Sequence, residues 1–458
     1  MTAQTPEART PGGPAPQAPG SPLRLSRAEL GRLGTGLLLG LLAAVITGPS
    51  GTGDHPSRGL RGALLSGRVV PYLLIGLVLG AALVVTDRGL LRGRIPKISP
   101  VARASTLLNG NKRLRYSAIG VAAVFAILYP LSLAPFWQGV LVRQIAIYTL
   151  LALGLNIVVG LAGLLDLGYI AFFAIGAYTT AYFTDKLPVH PPFVLNPFFV
   201  IPFAVLAAAL SGVILGGPTL RLRGDYLAIV TLGFGEIIRI LAVNGDNFGG
   251  TNVTNGPRGA VGIPHPSIHV FGFNYQWGLK QLPYYYLMLV VIVLVVIAFK
   301  NLEQSRIGRA WTAIREDEVA AAASGVPTVK FKLLAFSIGA STSGLAGVFY
   351  ATDVGFIAPD NFLFLASILV LTMVIFGGMG SITGVIVGAA LLQWLPNYLR
   401  DLVPAEDRYI YFGALLVLMM IFRPQGVVPS RRRAREFALA ESGVGGADGM
   451  GVTPGARQ

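Results

Sequence analysis

The chain has 458 residues, 53% hydrophobic and only 12% charged, with a mean hydropathy of +0.65. Soluble globular chains carry about 25% charged residues, so an ordinary soluble enzyme is excluded and a bilayer protein is indicated. The net charge of +15 could suit nucleic acid, but the basic residues cluster just beyond the apolar runs, where membrane orientation places them, and no nucleic-acid partner is expected.

Residues 1–30 are rich in Pro, Gly, Ala and Thr with no apolar period, and read as a disordered cytoplasmic segment. A long polar stretch precedes the first apolar run, which argues against a signal peptide. Residues 31–114 form an N-terminal extension with two spans, 33–47 and 69–85, and a basic loop. That loop carries Arg88, Arg92, Arg94, Lys97, Arg103, Lys112, Arg113 and Arg115, which places it inside.

The core covers residues 115–425, with spans expected at 117–134, 141–160, 167–184, 198–216, 226–243, 283–300, 332–353, 361–378, 381–397 and 409–422. Twelve hydrophobic segments in all predict an all-α polytopic membrane protein of about 10–12 transmembrane segments. Alternating sides puts Arg221 and Arg223 inside, 244–282 outside, and the basic, disordered tail 426–458 inside. Both termini are therefore expected in the cytoplasm.

Two joints lack a polar loop long enough for an ordinary turn. One runs from Gly160 through Gly163 to Asp166; the other holds Gly377, Gly378 and Gly380. Irregular backbone at membrane depth is tolerated only where it is buried in protein or lines a cavity. Paired Gly interruptions in corresponding halves point to a transport route. The joints lie at nearly equal distances from the two ends of the core, which hints at an inverted repeat. The alternative is a pair of tight cytoplasmic hairpins.

Residues 301–327, NLEQSRIGRAWTAIREDEVAAAASGVP, interrupt the apolar second half with charged helix formers punctuated by Gly308 and Gly325. Lys300, Arg306, Arg309, Arg315, Lys330 and Lys332 put the stretch inside. Its small residues, including Ala320 and Ala321, would let another protein approach closely. Arg315, Glu316, Asp317 and Glu318 would set register, and Gly325 would end the helix at positive φ. The alternative is a solvated connector.

Chemistry-bearing residues are few. No Gly-x4-Gly-Lys-Ser/Thr run is present, so the chain has no phosphate-binding loop of that type. His55, His190, His265 and His269 sit in expected exterior loops without metal spacing, and no nucleophile has a recognisable base. No catalytic or metal site is expected. Asp166, Glu236 and Arg239 fall in or beside apolar segments, where ionisable groups are costly and usually face the bundle interior. Glu236 and Arg239 share a helical face, so they either pair with each other or line a route for a zwitterion.

The 301–327 stretch resembles the coupling loop of ABC-importer permeases, whose Glu-Ala-Ala-x3-Gly pattern stands here as Val319-Ala320-Ala321 followed by Gly325. The run SRIGRAWTAIREDEVAA is more specifically similar to LivM-type permeases of branched-chain amino acid ABC transporters. So are residues 154–178, 221–240, 376–392 and FRPQG at 422–426. The family's Gly-Gly-Pro-Asn-Gly segment appears as Asn255, Gly256, Pro257, Arg258 and Gly259, with Arg258 in place of Asn. The resemblance implies the ABC-importer permease fold in a bacterial plasma membrane. It also implies a second, LivH-type permease, two cytoplasmic ATPases of LivG and LivF type using ATP and Mg, and an extracytoplasmic amino-acid-binding protein touching Asn255 to Arg258. ATPase closure would reach the helices through the loop as rigid-body motion. A urea or amide permease of the same superfamily is the nearest alternative reading. An ion-coupled secondary transporter is a different class, and a membrane enzyme lacks candidate residues.

Overall fold

The computed structural model describes residues 33, 37, 73–75, 77–78, 120, 124–219, 225–247, 249–270, 273–277, 280–401, 408–422 and 426–428. The chain divides into two compact units, Met1–Ile95 and Pro96–Gln458. In the first, the described residues near 33–37 and 73–78 are helical. The expected N-terminal segment 1–30, the basic loop 88–115, Arg221 and Arg223, and nearly all of the tail lie outside the described residues. The long described stretches, from residue 124 onward, all belong to the second unit.

Among the described residues, six helical segments are long and apolar enough to cross a membrane. They are α1 (Pro135–Leu161), α3 (Pro197–Thr219), α4 (Asp225–Val243), α5 (Gln281–Gln304), α8 (Thr328–Val354) and Pro359–Gly377, whose regular part is α9 (Phe364–Gly377). Shorter helices are α2 (Ile170–Phe183), α10 (Ile382–Tyr398) and α11 (Arg408–Phe422). The order matches the sequence expectation from residue 135 onward. The expected span 117–134 is helical where described from 124, and closes in the 3-10 turn Tyr129–Ser132. The expected span 167–184 shortens to 14 residues because the backbone from 162 to 169 is not helical.

The core sits on α1 and α8. The most apolar part of α1 is 78% buried, against 17% for α5, which leaves Val290, Val293, Leu294 and Ile297 exposed. In lipid, apolarity does not drive helices together, so close backbone approach must. Glycine supplies it where α2 crosses α8. A Cβ at Gly176 would lie 2.2 Å from the Gly344 carbonyl oxygen, and one at Gly347 would lie 2.4 Å from the Phe173 oxygen. The same face of α8 meets α3, where a Cβ at Gly344 would stand 2.5 Å from the Ala208 Cβ. Helix α1 opens into π turns at Val140–Ala146 and Asn156–Leu161.

At one end of the bundle lies α6 (Arg306–Glu316) followed by α7 (Glu318–Ala323). At the other end the chain adds two small antiparallel sheets that the sequence did not announce. Strand β1 (Ala260–Val261) pairs with β4 (Phe356–Ile357), and β2 (Ser267–Val270) with β3 (Phe273–Gln276) in register Ser267 to Gln276. Each strand is only two to four residues long, too short for a clear period-2 pattern. Asn196 holds the hairpin by donating to the Ser267 carbonyl at 2.7 Å. Polar ties also close this end: Arg143 Nε donates to buried Asp353 at 2.8 Å, and the Tyr284 hydroxyl meets Thr352 Oγ1 at 2.5 Å.

Candidate functional site

The α6–α7 segment is built by two N-caps. The Ser305 hydroxyl accepts from the amides of Ile307 and Gly308 and starts α6. Asp317 Oδ1 accepts from Val319 N at 2.8 Å and Ala320 N at 3.0 Å and starts α7. The amphipathic α6 buries Trp311, whose indole N–H donates to the Phe331 carbonyl at 2.7 Å and fixes the helix against the start of α8. Glu318 of α7 forms an ion pair with Lys332 of α8 at 2.6 Å, and the Lys332 side chain is nearly fully buried. The segment ends as expected: Gly325 has φ +83°, its N–H bonds to the Ala322 carbonyl, and Val326 N reaches back to the Ala321 carbonyl.

This geometry revises the roles of several residues expected to present a docking surface. Ala320 is exposed, but Ala321 is buried against the protein's own body. Asp317 is committed to capping and Glu318 to Lys332, so the acidic run is not one continuous rim. A run of four charges on a short surface segment reads as a solvated face in sequence; here the turn between α6 and α7 points its members in different directions. Glu316 is exposed. Arg315 turns inward, and its guanidinium donates to the Gly160 carbonyl oxygen.

That contact brings together the two glycine joints. Arg315 packs on Gly163, where a Cβ would lie 2.6 Å from the Arg315 Cγ. A Cβ at Gly380 would lie 3.2 Å from the Gly160 oxygen and 3.5 Å from Arg315 Nη1. Asn156 Oδ1 accepts from Gly380 N at 2.8 Å and ties the joints directly. Gly426 closes on the second joint, where its Cβ would stand 2.5 Å from the Gly378 Cα. Val427 N and Val428 N bond to the carbonyls of Phe376 and Gly377. Gly163, Gly378 and Gly380 all have positive φ, at 72°, 118° and 77°, which explains glycine at these bends.

Much of the irregular backbone of the first joint is hydrogen-bonded, as burial favours. Ala162 N and Leu164 N bond to the carbonyls of Ile157 and Val158. Leu167 N donates to Thr231 Oγ1 on α4, and Ile170 N to Ser367 Oγ on α9, each within 3.1 Å. Asp166 is fully buried; its Oδ1 accepts from Gly168 N at 3.0 Å, while Oδ2 has no partner. Burial pushes its carboxyl up to about 7, outweighing the opposing pulls of Gly168 and Thr231.

Sequence reasoning named the joints and Arg315 but not what joins them. Asn156 and Thr231 were not singled out, and Lys332 only as a cation on the inner side, although an Asn in an apolar run and a Lys at a span's edge were available signals. Glu236 and Arg239 lie elsewhere, on α4, and pair with each other: Arg239 Nε donates to Glu236 Oε1 at 2.9 Å. At the sheet-bearing end, Asn255 has φ 65° and donates to the Gly259 carbonyl at 2.8 Å, Gly256 is buried, and Pro257 and Arg258 are exposed on a 3-10 turn.

Apolar helices of crossing length with a polar helical segment seated on them define a polytopic, all-α membrane protein. The family described as branched-chain amino acid transport system / permease component matches residues 140–423, and the chain belongs to it. The chain is 42% identical over 304 residues to the high-affinity branched-chain amino acid transport system permease protein LivM of Escherichia coli strain K12, covering 62% of this chain and 68% of that one. LivM of Salmonella typhimurium gives the same figures. The high-affinity branched-chain amino acid transport system permease protein LivH of Escherichia coli strain K12 is 32% identical over 127 residues, 28% of this chain and 41% of that one. No solved structure matches the chain.

Proposed function

We propose that this chain is the LivM-type permease subunit of an ATP-binding-cassette importer that passes branched-chain, hydrophobic amino acids across the bacterial plasma membrane. Its partners are a LivH-type permease, two ATPases of LivG and LivF type that use ATP and Mg in the cytoplasm, and an extracytoplasmic amino-acid-binding protein. The α6–α7 segment faces the cytoplasm, receives an ATPase through exposed Ala320, Ala322 and Ala323, and both chain termini lie on that side. Pro257 and Arg258, held out by Asn255 and Gly256, meet the binding protein. No cofactor binds this chain itself.

The observation that carries the reading is Arg315, which leaves the docking segment to hold Gly160, Gly163 and Gly380 at once. A push on α6 therefore bears directly on both breaks in the spanning helices, and the joints, with Asp166, Gly377 and Gly378, border the inner end of the route. Two variants in the assembled complex test this. Ala320→Arg is expected to lose the ATPases on co-purification. Arg315→Met keeps the aliphatic packing on Gly163 but loses a charged hydrogen bond, a class worth about 1.5–3 kcal/mol and less at this exposed site. It is expected to assemble yet to import fewer leucines per ATP. Normal assembly and stoichiometry in both would make the segment a plain connector.

A further inference from the structure

At the sheet-bearing end, a cavity of about 270 Å³ opens between α2, α4 and the loop after α4. Its wall is Ile175 and Tyr178 from α2, Ile238 and Leu241 from α4, and Val253 and Thr254 from the loop. The wall is almost entirely carbon. Thr254 spends its hydroxyl on the Ala242 carbonyl at 2.7 Å, so it presents its methyl-bearing side. One polar atom is left over: the Tyr178 hydroxyl oxygen is buried and has no hydrogen-bond partner. An enclosed hydroxyl without a partner is costly and marks a place where a ligand group can complete it.

Charges of both signs stand beside this slot. Arg239 lies one turn before Ala242 on α4 and holds Glu236 at 2.9 Å. The 3-10 turn Pro359–Phe362 packs against both α2 and α4, with the Phe362 ring 5.9 Å from that of Tyr178. Its exposed Asp360 acts electrostatically on both the Arg239 guanidinium and the Tyr178 hydroxyl. The arrangement is an apolar slot with ample room for a branched alkyl group, and with a cation and two carboxylates at its side. A lipid chain would use the slot but would leave the charge set and the hydroxyl without purpose. A free amino acid with a branched aliphatic side chain uses all three.

We propose that this cavity is a substrate subsite at the far end of the route. The aliphatic side chain enters between Ile175, Ile238 and Leu241, the carboxylate turns to Arg239 and Tyr178, and the ammonium turns to Asp360. The inference rests on the importer reading above and adds the place where this chain itself recognises the cargo. Small ligands are usually held in such largely apolar pockets by a few placed polar groups.

The chain contains no cysteine, so single cysteines report cleanly. Val253→Cys and Leu241→Cys, both at partly exposed wall positions, are placed in the assembled transporter in liposomes together with Val261→Cys, which is 67% exposed outside the cavity. Alkylation by a small maleimide is timed with L-leucine, with glycine and without either. Leucine is expected to slow labelling of Val253→Cys and Leu241→Cys several-fold, in proportion to occupancy, and to leave Val261→Cys unchanged. Glycine is expected to slow none. Leucine without effect on either wall position, or slowing all three alike, overturns the subsite in a complex that imports leucine. If the complex with native side chains imports no leucine, the importer reading itself fails, which is a separate result.

Discussion

Asp166→Asn probes the first joint without changing its shape. The carboxyl is fully buried and raised from 3.8 to about 7 by that burial, so holding it ionised in the folded protein costs about 4 kcal/mol. The unfolded chain releases the proton near 3.8 and the folded chain keeps it until about 7, so the folded state binds more protons between those values. Stability therefore falls as pH rises through that window and is level above it. At pH 5 the cost is about 2 kcal/mol and at pH 8 about 4 kcal/mol. Asparagine keeps the acceptor for Gly168 N and carries no charge, so it escapes this dependence. The advantage of Asp166→Asn over the native side chain should widen by about 2–3 kcal/mol from pH 5 to pH 8. Thermal unfolding of both proteins in the same detergent at the two pH values measures it. A gap that stays constant, or narrows toward pH 8, would refute a proton held by a dry carboxyl at this joint.

Two further outcomes concern packing and orientation. Gly344→Ala puts a methyl 2.5 Å from the Ala208 Cβ where α8 crosses α3, and should cost about 1–3 kcal/mol in thermal unfolding; an unchanged midpoint would mean the helices are not held at backbone distance. For orientation, Thr254→Cys should react with an impermeant thiol reagent in intact cells and Glu303→Cys should not, and the reverse labelling would invert the topology.

Local signals carried much of the architecture. The positive φ of Gly325, the breaks at Gly160–Asp166 and Gly377–Gly380 and the pairing of Glu236 with Arg239 were all readable, because each depends on neighbours a few residues away. Their convergence was not readable. Asn156 and Gly380 are 224 positions apart, and Arg315 and Gly160 are 155 apart; nothing in either local pattern encodes the other. The acidic run was misjudged for a different reason. Asp317 reads as part of a charged face, but an Asp placed three residues before the Ala run is an N-cap, and it splits one expected helix into α6 and α7. That split is what rotates Ala321 into the core and Arg315 onto the joints.

Helix α8 carries a buried charge near each of its ends. Lys332 is fastened to Glu318 of the α6–α7 segment, and Asp353, near the other end, to Arg143 of α1. Twenty-seven residues separate the helix termini, so it is a rod of about 40 Å. A rod tethered near both ends behaves as a lever. A tilt of about 5° applied at Lys332 would carry the far end roughly 3 Å sideways over that length, enough to break a hydrogen bond. The Arg143–Asp353 pair would then act as a catch at the far end of the rod, released or held according to the angle set at Glu318.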